Sequence, residues 1–152
     1  MRKIIVNYLK ETDYLLHADM FNTKKFPTKA KVINCGLGES NLLNIAGGLA
    51  SQRKTVYIYG VAGFIIHRFE QLKFSCKLFG SEYGKIIIFN AGKIGYEGQG
   101  AGHLLNDDIQ IMEILNIEYF QPETKEDIYN ILEYLNNKKI GLYYIQLGKD
   151  FN

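Results

Sequence analysis

Short runs of β-branched and aromatic residues recur along the chain and alternate with stretches of helical periodicity. The runs lack the strict alternation of a half-exposed strand, which is typical of strands buried on both faces. We predict strands at residues 31–35, 55–59, 85–90, 117–120 and 141–147, and a further one at 14–17. Apolar residues spaced three to four apart predict helices at residues 39–52, 64–78, 107–115 and 125–135.

Polar residues mark where two of these helices begin. Asn106 and Thr124 are the predicted N-caps of the last two helices, because their side chains can accept hydrogen bonds from free backbone N–H groups. Asp107 and Asp108 then fall in the first helical turn, where the helix dipole favours anions.

The order of these elements predicts the fold class. Strands that alternate with helices indicate a three-layer α/β/α domain with a mainly parallel sheet. The 152 residues fit one domain of common size, residues 1–152. A glycine-rich segment at residues 91–104 follows the predicted strand that ends at Asn90. Because ligands bind beyond such strand ends in open α/β sheets, this segment is a candidate site.

Composition and charge narrow the possible partners. The net charge is +2 and the Lys and Arg residues are scattered, so we expect no nucleic-acid partner. No apolar run approaches the roughly 18 residues of a membrane span, and the N-terminus lacks the apolar core of a signal peptide. Two cysteines, Cys35 and Cys76, are too few for a disulfide scaffold. We therefore expect a cytoplasmic location, no membrane partner, and thiols that act as small buried groups.

A glycine-containing turn joins the strand at residues 31–35 to the next helix. Gly36 and Gly38 resemble the start of a dinucleotide-binding fingerprint, G-x-G-x-x-G. Asn41 stands where the third glycine is needed, and the Glu39 carboxylate would repel a phosphate at the helix N-terminus. Nucleotide binding is therefore disfavoured. Taken alone, Glu39 also fits a plainer interpretation, a first-turn glutamate that complements the helix dipole.

Segments along nearly the whole chain resemble motifs of the transketolase family, in the same order and at matching spacing. Residues 36–50 contain G-L-G-E-S-N and I-A-G-G-L-A, similar to the family's G-I-A-E-Q-N and I-A-A-G-L-A. Residues 64–72 (F-I-I-H-R-F-E-Q-L) resemble F-L-x-R-A-Y-E-Q-I, and residues 100–109 (G-A-G-H-L-L-N-D-D-I) resemble G-P-T-H-H-A-I-E-D-I. Residues 18–20 (A-D-M), Pro122 and residues 144–149 (Y-I-Q-L-G-K) match A-D-L, P-x-D and Y-I-R-L-G-R. The resemblance implies the thiamine-diphosphate-binding fold, and within it the pyrimidine-binding (Pyr) domain.

The resemblance also implies roles for matching residues near the cofactor. In this family the glutamate that matches Glu39 bonds the pyrimidine ring nitrogen of thiamine diphosphate and so activates the cofactor. Phe64 matches the aromatic residue that stacks on the pyrimidine, and Val61 and His67 fall at the two neighbouring pocket positions. Asp19 matches the family aspartate near the cofactor. Core packing for Phe64 and an exposed loop for Asp19 are the plainer alternatives.

A histidine in the glycine-rich segment is the second expected catalytic residue, with Glu39. His103 matches the first histidine of the family's T-H-H, which faces the substrate; a surface histidine without a bond is the alternative. The second family histidine is Leu104 here, and the acidic residue before the motif's glycine is Gln99. Both departures alter polar contacts to a sugar.

The sequence lacks the family's diphosphate and magnesium motif. No G-D-G occurs in the chain, so we expect a separate diphosphate-binding (PP) subunit to hold Mg²⁺ and to share thiamine diphosphate, as an α2β2 heterotetramer. The chain would then be incomplete as an enzyme by itself. We predict a transketolase-like subunit that transfers a two-carbon ketol unit between sugars or sugar phosphates. A split 2-oxo-acid decarboxylase or carboligase, and a non-catalytic partner-binding homologue, are the alternatives.

Overall fold

A computed structural model describes residues 2–91 and 107–147 of the chain. Its strands are β1 (Tyr14–His17), β2 (Lys31–Asn34), β3 (Thr55–Val61), β4 (Lys85–Ala91), β5 (Glu118–Phe120) and β6 (Gly141–Leu147). Its helices are α1 (Arg2–Tyr8), α2 (Glu39–Ser51), α3 (Ala62–Ile66), α4 (Phe69–Gln71), a π-helix (Leu72–Lys77), α5 (Leu78–Glu82), α6 (Asp108–Ile114) and α7 (Lys125–Asn136). Each predicted strand is present, and its ends lie within two residues of the prediction.

The six strands form one sheet in the order β2-β1-β3-β4-β6-β5, and each neighbouring pair is parallel. Helices flank the sheet, which confirms the predicted α/β class with a parallel sheet. Within residues 2–91 and 107–147, no helix has the length and apolarity needed to span a membrane.

The central strands divide their side chains between two cores. Because successive side chains point to opposite faces of a strand, each run of apolar residues serves both faces. One core, beneath α2, α3 and α6, receives Val56, Ile58, Ile86 and Ile88. The other, beneath α1 and α7, receives Tyr57, Tyr59, Ile87 and Phe89. This double burial explains why the strands show no polar–apolar alternation.

The segment after β3 differs from the single helix predicted at residues 64–78. Helix α3 ends at Ile66, a new helix begins at Phe69, and residues Leu72–Lys77 form a π-helix. The π-helix lies against α2, where a Cβ atom added to Gly47 would stand 2.4 Å from the Ser75 carbonyl oxygen. The glycine therefore permits backbone contact that no other residue would allow.

The predicted helix caps have separate outcomes. Thr124 caps α7 as predicted: its Oγ1 accepts from the Asp127 N–H at 3.1 Å, and Asp127 Oδ2 accepts from the Thr124 N–H at 2.7 Å. Asn106 lies outside the described residues. Helix α6 begins at Asp108, so Asp107 is the residue at the N-cap rather than in the first turn, and its side chain makes no capping bond.

Parallel pairing brings the carboxyl ends of all strands to one edge of the sheet. Residues Asp19, Glu39 and Phe64 follow β1, β2 and β3, which are adjacent, with β1 in the middle. The candidate cofactor residues within the described ranges therefore share one end of the molecule.

Candidate functional site

The turns after β1 and β2 are joined through the side chain of Asn34. Its Oδ1 accepts from the backbone N–H of Asp19 at 3.1 Å and of Gly36 at 3.0 Å, and its Nδ2 donates to Asp19 Oδ1 at 3.0 Å. Asp19 has φ of 56° and Gly36 has φ of 62°. Both turns thus use the left-handed conformation, which costs a residue with a Cβ about 1–2 kcal/mol. Glycine avoids this cost at position 36, whereas Asp19 offsets part of it with these hydrogen bonds.

Glu39 is the first residue of α2 and is half-buried at the carboxyl edge of the sheet. The N-cap is Gly38, which has no side chain to cap the helix, so free backbone N–H groups lie beside the carboxylate. In the ranges that the structure describes, no group donates a hydrogen bond to the Glu39 carboxylate, and no cation pairs with it. The position of the carboxylate is thus set by the start of its helix.

The three predicted pocket residues after β3 occupy different environments. Val61 ends β3 and is 2% exposed, so its side chain is part of the core. Phe64 lies in α3 and is half-buried, and α3 contacts α2, which begins at Glu39. His67 follows the last residue of α3 and is exposed. The structure therefore brings Phe64 and Glu39 onto neighbouring helices, with His67 at the far end of α3.

A buried histidine beneath the Asp19 turn was not predicted from the sequence. His17 ends β1, is 4% exposed, and pairs in register with Asn34 on one side and Tyr59 on the other. Its Nδ1 accepts from the Phe21 N–H at 3.3 Å, which closes the turn that contains Asp19. Burial lowers the pKa of the imidazole, although the Asp19 carboxylate opposes this effect. A neutral ring is the form that can accept the Phe21 bond.

A second polar cluster, also not predicted, lies at the carboxyl ends of β4 and β6. The Tyr144 hydroxyl donates to Asp108 Oδ2 at 2.6 Å and accepts from Asn90 Nδ2 at 3.0 Å. Gln146 Nε2 donates to both carboxylate oxygens of Asp108 at 2.8 Å. Burial and the nearby Asp108 carboxylate raise the pKa of Tyr144 well above its usual value, so the hydroxyl remains a donor. Asn90 and Gln146 are polar residues within otherwise apolar strands, and this pattern could have indicated a buried polar cluster.

Asn90 carries an unsatisfied atom in this cluster. Its side chain is fully buried, and Oδ1 has no hydrogen-bond partner within residues 2–91 and 107–147. A Cβ atom added to Gly60 would lie 3.4 Å from this oxygen, so the oxygen points toward the end of β3.

Two further expectations concern residues or ligands that the structure leaves open. His103, Gln99 and Leu104 lie outside the described residues, so the predicted substrate-facing histidine stays a prediction. Across residues 2–91 and 107–147, no cluster of three or more His, Cys, Asp or Glu side chains could hold a metal ion.

Comparisons with known proteins give the context for this site. No family model matches the chain. The chain is 32% identical over 130 residues to one subunit of the apulose-4-phosphate transketolase of Actinobacillus succinogenes, covering 84% of this chain and 40% of that protein. A split-gene transketolase, solved as an inactive beta4 tetramer, is 25% identical with a TM-score of 0.71, over 97% of this chain and 49% of that one.

A transketolase from Campylobacter jejuni shares the fold, with a TM-score of 0.75 at 13% identity, over 95% of this chain and 24% of that one. The chain thus spans less than half the length of each of these relatives. Its fold is of the pyrimidine-binding type found in these transketolases, a parallel sheet flanked by helices. The chain is similar to part of one subunit of a transketolase and to part of a split-gene transketolase, the resemblance that its motifs predicted.

Proposed function

We propose that this chain is a subunit of a thiamine-diphosphate-dependent transketolase-like enzyme and that it supplies the activating glutamate, Glu39. The observation that carries the proposal is the state of this carboxylate. It is half-buried at the start of α2, and no group within residues 2–91 and 107–147 satisfies it. Phe64, an aromatic residue that could stack on a ring, lies on a helix that contacts α2, and this supports the proposal.

The residues at this edge fit the aminopyrimidine ring of thiamine diphosphate. Glu39 would share a proton with a ring nitrogen, which a carboxylate does better once water is excluded. Phe64 would lie against the ring face, His67 and Asp19 would border it, and Val61 would support the pocket from the core. The bound cofactor supplies a nucleophilic carbon that breaks and forms carbon–carbon bonds. The chain's own part is to orient the pyrimidine and to hold its proton.

The proposed reaction is transfer of a two-carbon ketol unit between sugars or sugar phosphates. The name of the Actinobacillus relative, a transketolase for apulose 4-phosphate, supports a sugar-phosphate substrate. His103 is proposed to contact that substrate. A separate diphosphate-binding subunit would hold Mg²⁺ and the cofactor's diphosphate. Two relatives support such a division, since one is named as a single subunit of a transketolase and the other as a split-gene transketolase.

The test is exchange of the thiazolium C2 proton in the complex assembled with thiamine diphosphate and the diphosphate-binding subunit. Glu39→Gln keeps the size of the side chain but removes its acid. We expect exchange to slow by about 10² to 10⁴-fold, the usual range for proton-transfer residues. Glu11→Gln is the control, because Glu11 is exposed and precedes β1, at the opposite edge of the sheet. Wild-type exchange in Glu39→Gln would reject the role of Glu39 and favour a non-catalytic homologue.

A further inference from the structure

One amide side chain holds together the two turns that carry proposed cofactor residues. Asn34, the last residue of β2, accepts at Oδ1 from the N–H groups of Asp19 and Gly36 and donates from Nδ2 to Asp19 Oδ1. The two N–H groups belong to residues with left-handed φ, 56° and 62°. A single side chain therefore fixes both turns relative to each other, although they follow different strands.

We infer that Asn34 is a positioning residue for the proposed cofactor site. The inference rests on the proposed function, because it assumes that Glu39 and Asp19 face the pyrimidine. Gly36 leads through Gly38 into Glu39 at the start of α2, so the direction of the turn sets where the carboxylate lies. Asn34 would act through these turns rather than by touching the cofactor.

The turn between β2 and α2 has few side-chain contacts to hold it, so the hydrogen bonds of Asn34 matter more there. Gly36 and Gly38 flank Leu37, which is 87% exposed, and a Cβ atom added to Gly36 would meet nothing within 4 Å. Side-chain packing therefore does little to hold the backbone between β2 and α2. The hydrogen bond from Gly36 to Asn34, together with that from the Cys35 N–H to the His17 carbonyl at 2.8 Å, restrains it.

Three variants separate the two roles of the Asn34 amide, as hydrogen-bond acceptor at Oδ1 and as donor at Nδ2. Asn34→Ala removes the acceptor and the donor. Asn34→Asp keeps an acceptor for both N–H groups but loses the donor and places a second carboxylate against Asp19, which is repulsive. The exchanged pair, Asp19→Asn with Asn34→Asp, reverses the amide and the carboxylate and restores the bond between them. Asn22→Ala is the matched control, since Asn22 closes its own turn by accepting from the Lys25 N–H at 3.0 Å.

The first measurement is backbone amide hydrogen exchange in the free chain, followed by NMR. In Asn34→Ala we expect the Asp19 and Gly36 amides to exchange about two- to tenfold faster, the protection that one ordinary hydrogen bond gives. In Asn34→Asp the Asp19 amide should exchange faster while the Gly36 amide keeps its wild-type rate. In the exchanged pair the Asp19 amide should return to its wild-type rate. Asn22→Ala should change neither amide.

The second measurement is C2-proton exchange in the assembled complex. Asn34→Ala should slow it by about tenfold or more, because a displacement of ~1 Å can cost about 10²-fold. Unchanged amide exchange in Asn34→Ala, or loosened amides with wild-type C2 exchange, would overturn the inference. Wild-type C2 exchange in Glu39→Gln would instead overturn the proposed function, so the two failures can be told apart.

Discussion

Two acidic side chains near the carboxyl ends of the strands differ in the hydrogen bonds that they receive from the rest of the chain. Asp108 is 1% exposed and accepts from both Tyr144 and Gln146, so it is fully engaged inside the protein. Glu39 is half-buried and has no such donor in the ranges described. Because leaving a buried carboxylate unbonded costs free energy, these bonds stabilise Asp108 inside the protein, whereas Glu39 is the carboxylate assigned to the cofactor under the proposed function.

The bonds of Tyr144 give a prediction about stability. Tyr144→Phe keeps the ring but removes the hydroxyl, which leaves Asp108 Oδ2 with Gln146 Nε2 as its remaining donor and leaves Asn90 Nδ2 without its acceptor. We expect the free energy of unfolding to fall by about 1–3 kcal/mol, the cost of unsatisfied buried polar groups. Urea denaturation monitored by circular dichroism would measure the change.

The neighbouring Tyr143 supplies the control for this variant. Its hydroxyl donates to the Ile140 carbonyl at 2.8 Å from the other face of the sheet. Tyr143→Phe removes one partly accessible hydrogen bond, so we expect a loss of about 0.5–1.5 kcal/mol. Tyr144→Phe should be the more destabilising of the two, and a smaller loss than in Tyr143→Phe would contradict the structural role of the Asp108 cluster.

The sequence identified residues with a motif and missed those that act through tertiary contacts. Glu39 and Phe64 were predicted because their spacing matches a family pattern, and the structure places them on contacting helices. The bonds of Asp108 were not predicted, because its partners lie in other elements and helical periodicity assigned it only to a first turn. Asp108 does lie in the first turn of α6, as predicted, and its tertiary hydrogen bonds add a role that periodicity could not show.

At the scale of elements, the helix that begins at Glu39, α2, packs closely against the π-helix. Helix α2 carries Glu39 at its first residue and contacts the π-helix near Gly47, where the Ser75 backbone approaches. Apolar spacing predicted α2 correctly, since one face is regularly apolar. The same spacing predicted one helix at residues 64–78, but a break and a π-helix change the backbone hydrogen bonding there, and Phe69, Phe74 and Leu78 are exposed. Helix α1, Arg2–Tyr8, was not predicted.

Two adjacent glycines of α2 test this packing. In Gly47→Ala the new Cβ would stand 2.4 Å from the Ser75 carbonyl oxygen, so the helices must separate, and we expect a loss of about 1–3 kcal/mol. Gly48 is exposed and a Cβ there meets nothing within 4 Å, so Gly48→Ala should stabilise the free chain by about 0.5–1 kcal/mol. Thermal and urea unfolding of both variants would show opposite signs. Stabilisation by Gly47→Ala would contradict the close contact.

At the scale of the whole molecule, the parallel sheet places the carboxyl ends of its strands side by side, although the strands are far apart in the sequence. The turn at Asp19, the start of α2 at Glu39 and the helix of Phe64 meet there although the chain between them builds other elements. This gathering follows from parallel pairing and right-handed crossovers, both of which were predictable from alternating strands and helices. Under the proposed function, this edge of the sheet supplies groups for one ring of the cofactor. Diphosphate and a divalent cation need oxygen ligands of a different kind.

If two subunits share thiamine diphosphate in this way, the chain should bind the cofactor tightly only when the diphosphate-binding subunit is present. The chain lacks a G-D-G motif, and no cluster of three acidic, His or Cys side chains in residues 2–91 and 107–147 could hold Mg²⁺. Contacts to the pyrimidine alone would leave the charged diphosphate without partners, and such contacts cannot supply the roughly 8 kcal/mol that a micromolar Kd requires. Titration of thiamine diphosphate and Mg²⁺ into the purified chain by calorimetry should therefore show no micromolar binding. The same titration after addition of the diphosphate-binding subunit should show it, and Glu39→Gln should weaken it less than omission of Mg²⁺ does. Micromolar binding by the chain alone would mean that it completes the site itself, and the proposed division of the cofactor between two subunits would then be wrong.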